Sequence, residues 1–190
     1  MKRRFRCVQG CSDCCIYREY YPHVQYGKIG VLVLPEEKAA IERLAKEMGL
    51  RVRIIPRLAV GKDSPEKIIA YQMMGKNDDG NLCPFLDTED NEKSPHGGFK
   101  CKIYSDRPLA CRAYPVMDAT YKTAIFDSHC QFCKKFSVTE ASNRDLQQEI
   151  EALAKIKATV MAEKDVSVWR YATATGGSDE LLSEGWVLER

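Results

Sequence analysis

No apolar run in this chain is long enough to cross a bilayer. The longest, Ile29 to Leu34 with Gly30 inside it, falls far short of the roughly 20 residues that a spanning helix needs. A secretory leader is not expected either: the basic start of Lys2, Arg3, Arg4 and Arg6 leads into cysteines, not into an apolar segment with a small-residue cleavage site. Charge of one sign is also lacking. The 29 basic residues stand against 27 acidic ones for a net charge of +2, which removes the general electrostatic drive toward nucleic acid. Histidine is scarce at three residues, and no internal repeat or low-complexity segment breaks the chain. These absences lead to the expectation of a soluble cytoplasmic protein with neither a membrane nor a nucleic-acid partner. A protein partner or protein substrate stays open, as does the oligomeric state.

What the chain does hold is cysteine. Cys7, Cys11, Cys14 and Cys15 crowd the first fifteen residues as C-x3-C-x2-C-C, and Cys83, Cys101, Cys111, Cys130 and Cys133 follow. In a reducing cytosol, thiols in such number are metal ligands or redox groups sooner than structural disulfides. The count of nine is odd, so pairing within one chain cannot be complete. Thiolates are soft ligands that select zinc or iron–sulfur clusters, and C-x2-C and C-x3-C spacings present two of them from one loop at small closure entropy. All nine are therefore candidate metal ligands. Neighbouring residues on an extended segment point to opposite sides, so Cys14 and Cys15 are expected to serve different centres, or one of them to be a buried neighbour.

A site held by four thiolates carries negative charge, and Lys102, Arg107 and Arg112 are interleaved with Cys101 and Cys111. They are the candidate cofactor-binding side chains, donating to the sulfurs. His129 precedes the Cys130–Cys133 knuckle and is a weaker candidate; His23 and His96 are weaker still, and Asp13 suits a turn cap as well as a ligand. The aromatic stretch Tyr17, Tyr20, Tyr21, Pro22 and Tyr26 reads as a lid over the cluster. No residue declares itself catalytic, and whether the protein is an enzyme stays open.

The length of 190 residues suits one domain. The expected fold is α+β: a small, loop-rich, metal-stapled domain with two main helices and several short strands. Residues 1–138 form the cysteine-cluster domain, and 139–190 form a helix and tail packed on it. Ile29 to Leu34 reads as a strand. Pro35, Glu36 and Glu37 open a helix carrying Ala40, Ile41, Leu44, Ala45 and Met48 on one face, and Gly49 closes it. Further strands are expected over Arg51 to Ile55, Lys67 to Met74, Tyr121 to Phe126 and Val166 to Tyr171. Gly75 to Gly98 reads as loop, with a turn at Asn77 to Gly80. Leu146, Ile150, Leu153, Lys157, Val160 and Met161 mark a second helix spanning Thr139 to Lys164, with the Lys157 stem along its seam. Gly176 to Glu180 reads as a flexible joint.

Read together, the opening cysteines, Cys83-Pro84-Phe85-Leu86, and the block Cys101-Lys102-Ile103-Tyr104-Ser105-Asp106-Arg107-Pro108-Leu109-Ala110-Cys111-Arg112-Ala113-Tyr114-Pro115 resemble one family, the CxxCxxCC-type zinc- or iron-chelating cysteine-cluster proteins, also called YkgJ-like. The resemblance runs from Phe5 to about Cys133, with one residue more than the family shorthand between the first two cysteines. It implies an intracellular protein with an iron–sulfur cluster, 4Fe-4S in type, or zinc. The same cysteine region resembles that of flagellin lysine N-methylases, which use S-adenosylmethionine, although no separate methyl-donor motif stands here. The Cys7, Cys11, Cys14 spacing also resembles that of radical S-adenosylmethionine enzymes, but no strand precedes it, no aromatic precedes Cys14, and the chain is short for a full barrel. The function expected first is a metal-binding protein holding an iron–sulfur cluster in a redox or S-adenosylmethionine-linked role. The alternatives are a structural zinc module acting as scaffold, a metal-trafficking protein, and a lysine N-methylase-like enzyme. Pro108 should fix its own φ and extend Arg107, aiming the turn so that Cys101 and Cys111 converge, and Pro115 should end the element.

Overall fold

A computed structural model describes residues 5–17, 24–76, 81–161, 166–174 and 181–189. The chain forms two compact units. One comprises Met1–Ile16 and Phe85–Lys157, the other Tyr17–Pro84 and Ala158–Arg190. Helices and antiparallel sheets occur in both, so the α+β expectation holds. Among the described residues, no helix is long and apolar enough to cross a membrane.

The second unit is built on a five-stranded antiparallel sheet. Its strands are β1 (Val31–Val33), β2 (Ile54–Val60), β3 (Lys67–Met73), β9 (Val168–Ala172) and β10 (Gly185–Leu188), in the order β1-β3-β2-β9-β10. Helix α2 (Pro35–Glu47) starts at the expected proline. The Leu34 backbone N–H donates to the Glu37 carboxylate at 2.9 Å, which satisfies one orphan donor of the first turn. Ile41 and Ala45 are the buried face, and Gly49 (φ +65°) ends the element in the left-handed region.

Strand β2 differs from the expected Arg51 to Ile55 because it runs on through Pro56. The β9 ladder reaches only Leu58, Ala59 and Val60, so the missing proline N–H costs no bond on that side. A register shift between Pro56 and Leu58 absorbs the ring on the β3 side. Fully buried Gln72 completes the accounting: its amide nitrogen donates to the Pro56 carbonyl at 3.2 Å, and its amide oxygen accepts from the Gly30 N–H at 3.1 Å. Gly30 is obligatory there, since a Cβ would stand 2.2 Å from the Met73 carbonyl oxygen. Tyr26 is buried in this unit, below the Arg170 guanidinium at 5.1 Å. Tyr17 is exposed, and Tyr20, Tyr21 and Pro22 lie outside the described residues, as do the turn at Asn77 to Gly80 and the joint at Gly176 to Glu180.

The first unit carries eight of the nine cysteines. It contains α1 (Asp13–Ile16), the two-residue ladder of β4 (Leu86–Asp87) with β5 (Lys100–Cys101), α3 (Leu109–Ala113), α4 (Gln131–Phe136) and most of α5 (Gln147–Val160). Strands β6 (Val116–Ala119), β7 (Thr123–Phe126) and β8 (Glu140–Ser142) form a three-stranded sheet. The second helix therefore begins eight residues later than its periodicity predicts. Glu140, Ala141 and Ser142 pair with β7 instead, and the Ser142 hydroxyl accepts from the Arg144 N–H at 3.4 Å in a turn before α5. The first part of the apolar stripe is as read, with Leu146 buried and Ile150 and Leu153 packed on the same core, but Met161 lies past the helix end and is exposed. Lys157 does not lie along the seam but ion-pairs with Asp118 at 2.6 Å. At the centre of this core Phe132 meets Phe5, Phe126 and Phe136 at centroid separations of 5.1, 5.8 and 5.1 Å, tilted or edge to face. Burying each such ring contributes about 1.5–3 kcal/mol, and doing so next to Cys130 and Cys133 makes the floor of the cysteine region rigid.

Candidate metal centre

The N-terminal cysteines sit on a tight turn that runs into one helical turn. The Cys11 N–H donates to the Val8 carbonyl at 3.0 Å, Gly10 takes φ +77° to allow the bend, and the Cys15 and Ile16 N–H groups donate to the Ser12 carbonyl. Cys14 and Cys15 are consequently on α1 and not on an extended segment, with their sulfurs 4.0 Å apart. The alternation that would separate them does not apply to helical backbone.

The second group arrives through the Arg-Pro block. Cys101 ends β5, and the Lys102 N–H donates to the Phe85 carbonyl at 2.9 Å. A 3-10 turn over Tyr104–Asp106 follows, and Arg107 and Pro108 are extended at ψ 143° and 148°. The Pro108 carbonyl then accepts from the Cys111 and Arg112 N–H groups, which places Cys111 in α3. Pro115 follows α3 through a cis Tyr114–Pro115 bond. Arg112 holds the turn closed, donating to the Arg107 and Ser105 carbonyls at 2.8 Å each. Arg107 stacks 3.8 Å over Tyr104 and donates to the Tyr104 carbonyl, and Lys102 faces Asp87 at 3.6 Å. Of the three cations, Arg107 acts on a thiol: its charge favours the Cys101 thiolate.

The third group is the knuckle. Cys130 caps α4 and its N–H donates to the Asp127 carbonyl at 3.0 Å, while Cys133 lies buried one turn inside. Gln131, between them, donates through its side-chain amide to the Asp13 carboxylate in α1. That bond ties the knuckle to the turn that carries Cys14 and Cys15.

Electrostatics records how close these stretches come. Cys7 is pushed up to about 11, by burial first and then by Cys11, Cys130 and Cys15. Burial also raises Cys11, with Asp13, Cys130 and Cys15 adding to it. Cys101 stands at about 11 through burial, then through Cys15 and Cys111. Burial lifts Cys130, and it lifts Cys133 to about 11 with Cys130 and Asp127 adding. Cys15 thus neighbours both Cys7 with Cys11 and Cys101. Tyr114, which the sequence marks only as part of a stop signal, is half-buried among Asp127, Cys130, Cys14 and Cys133, and its phenol is held strongly protonated.

A second set of residues escaped the sequence reading. The loop Ser94-Pro95-His96-Gly97-Gly98, expected only as a connection, lies against the Cys11 turn: the Gly10 N–H donates to the His96 carbonyl, and the Phe99 N–H donates to the Ser12 hydroxyl at 2.7 Å. The Gly97-Gly98 pair was the available signal, because glycines are placed where backbones approach closely. His129 is exposed and turned to Asp127, 2.9 Å away, and His23 lies outside the described residues. Cys83 is buried in the other unit, next to Leu82 in the left-handed region at φ 63°.

The donor chemistry fits a soft metal group: Cys7, Cys11, Cys14, Cys15, Cys101, Cys111, Cys130 and Cys133 belong to one unit, and burial discourages bare thiolates until a cation compensates them. Among the described residues, no three Cys, His, Asp or Glu side chains converge tightly enough to share an ion as they stand. Neither a curated protein nor a solved structure gives a significant match to the chain. A sequence model for the family described as "CxxCxxCC: Putative zinc- or iron-chelating domain" matches residues 6–134, which takes in all nine cysteines but Cys83's unit only in part. The match spans well over half of the chain, and this protein belongs to the CxxCxxCC family.

Proposed function

We propose that this protein holds an iron–sulfur cluster through thiolates of its first unit and works as an intracellular redox protein that exchanges electrons with a protein partner. The observation that carries the reading is the mutual electrostatic influence of Cys7, Cys11, Cys15, Cys101, Cys111, Cys130 and Cys133, drawn from three separate stretches of chain. When bound, such a cluster supplies one-electron chemistry. The chain's own part is to deliver the thiolates, to keep water away with the Phe5–Phe126–Phe132 core, and to hold the positive charge of Arg107 beside Cys101. Iron–sulfur is favoured over a single zinc by the surplus of thiols and by the Cys14–Cys15 pair with its sulfurs 4.0 Å apart.

Zinc is the second reading, and the C-x2-C knuckle seated at the start of α4 supports it. Anaerobic purification followed by assay of iron, zinc and acid-labile sulfide per chain separates the two. Brown protein with matching iron and sulfide supports the redox reading. Colourless protein with stoichiometric zinc and no sulfide overturns it in favour of a structural or trafficking role.

A further inference from the structure

We propose that the Ser94–Gly98 loop is the positioning element of this centre, with His96 a positioning residue that fixes the Cys11 backbone and is not itself a ligand. The inference rests on the metal-binding reading above and extends it to residues outside the cysteine motif. His96 grips the cysteine turn twice. Its backbone carbonyl accepts from the Gly10 N–H at 2.8 Å, and its ring Nε2 lies 2.8 Å from the Cys11 carbonyl oxygen. A carbonyl oxygen can only accept, so Nε2 carries the proton and donates. That leaves Nδ1 as the nitrogen with a lone pair, and it lies 3.3 Å from the Ser94 hydroxyl, which can donate to it and occupy the position a metal would need.

The clasp has no slack. The Ser94 N–H donates to the Gly98 carbonyl and the Gly97 N–H to the Ser94 carbonyl, both at 2.8 Å, which closes the loop on itself. A Cβ on Gly98 would sit 2.2 Å from the Cys11 carbonyl oxygen and 2.5 Å from the Ser12 hydroxyl. Gly97 adopts φ +85°, and a Cβ there would meet the Gln9 side-chain amide at 2.4 Å. The next residue, Phe99, donates to Ser12, and the chain then enters β5, which ends at Cys101. One loop therefore links the backbone of Cys11 to that of Cys101, two thiols from separate stretches of chain that share Cys15 as a neighbour. Groups that orient metal ligands in this way typically change affinity by about 10- to 100-fold when removed.

The test compares wild type with His96→Ala, His96→Gln, Ser12→Ala and, as a control, His129→Ala. Zinc affinity is measured by competition with a chromophoric chelator, and the cobalt-substituted protein is read by its thiolate-to-metal absorption. Amide exchange at Gly10 and Phe99 is followed in metal-free protein. The proposal expects about ten-fold or greater loss of zinc affinity and a changed cobalt spectrum in His96→Ala. It expects substantial recovery in His96→Gln, whose amide N–H reaches to the depth of Nε2, and no change in His129→Ala. Ser12→Ala, which keeps the ring, should show the same trend through Phe99 if His96→Ala does not fold. Wild-type affinity and spectrum in His96→Ala, with Gly10 protection lost, overturns the positioning role while leaving the metal reading intact. Wild-type protein that binds neither ion removes the metal reading itself, and a Gly10 amide already unprotected in the wild type shows separately that the clasp is absent.

Discussion

Asp13 and Gln131 stand 118 positions apart and share a hydrogen bond, Gln131 Nε2 donating to the Asp13 carboxylate. Asp13 opens the helical turn of Cys14 and Cys15, and Gln131 opens the helix of Cys133. One bond thus spans two of the three stretches that bring thiols to the site. Gln131→Leu leaves the partly buried carboxylate without this donor. The expected cost is about 1–3 kcal/mol in metal-free protein, because the acceptor is charged and loses its partner. Urea unfolding of metal-free wild type and variant checks this, with equal midpoints as the contrary result.

In the other unit Gln72 bridges the Gly30 N–H and the Pro56 carbonyl from a fully buried position. Gln72→Leu roughly keeps the volume and orphans both backbone groups, so a loss of about 2–6 kcal/mol is expected at about 1–3 kcal/mol per unsatisfied group. Metal content should stay at the wild-type level, since the cysteines carrying the proposal belong to the first unit. Thermal unfolding and metal assay on the same sample give both readings.

Burial holds the thiols of Cys101 and Cys133 at about 11 against an ordinary 9.0. Cys7 is shifted similarly, but it is exposed as a residue and water damps its share, so the pH dependence rests on the other two. A raised acid binds more protons folded than unfolded, so its stabilisation is full below the unfolded value and is lost as pH climbs toward the folded one. Metal-free, reduced protein should therefore lose stability between about 9 and 11. The decline should be shallower in Cys133→Ala, which deletes one of the two titrations. Urea midpoints across that window make the measurement, and an identical slope in the variant contradicts the burial argument.

How much of this was legible in advance follows the physics of each segment. Helix α2 could be read end to end, because its proline, acidic first turn and closing glycine are local signals. The start of α5 could not, because Glu140 to Ser142 satisfy their backbone groups against β7, a partner that no local pattern reveals. The strand expected over Arg51 to Ile55 runs on through Pro56 because the distant β9 ladder stops short of the proline and Gln72 satisfies its carbonyl. Pairing of β6 and β10 was likewise non-local. In the site, the cysteine spacing was plain in the sequence and the Arg107–Pro108 geometry came as expected. At Cys14 and Cys15 the backbone is one helical turn and not the extended segment on which the expected separation rested. Of the supporting residues, His96 and Gln131 carry no spacing signature, and Tyr114 stands in the Cys101–Pro115 block without a sign of its role; all three are known by what they touch.

The central claim is that cysteines from both ends of the cluster region hold one metal group. Metal content per chain, measured in parallel for Cys11→Ser and Cys130→Ser, tests it most directly. The account predicts that each variant alone loses the bulk of the same metal and its absorption, with a lower melting temperature, because ligand binding contributes folding energy. Full metal content and an unchanged spectrum in Cys130→Ser, beside a loss in Cys11→Ser, would contradict it and assign the two ends to separate roles.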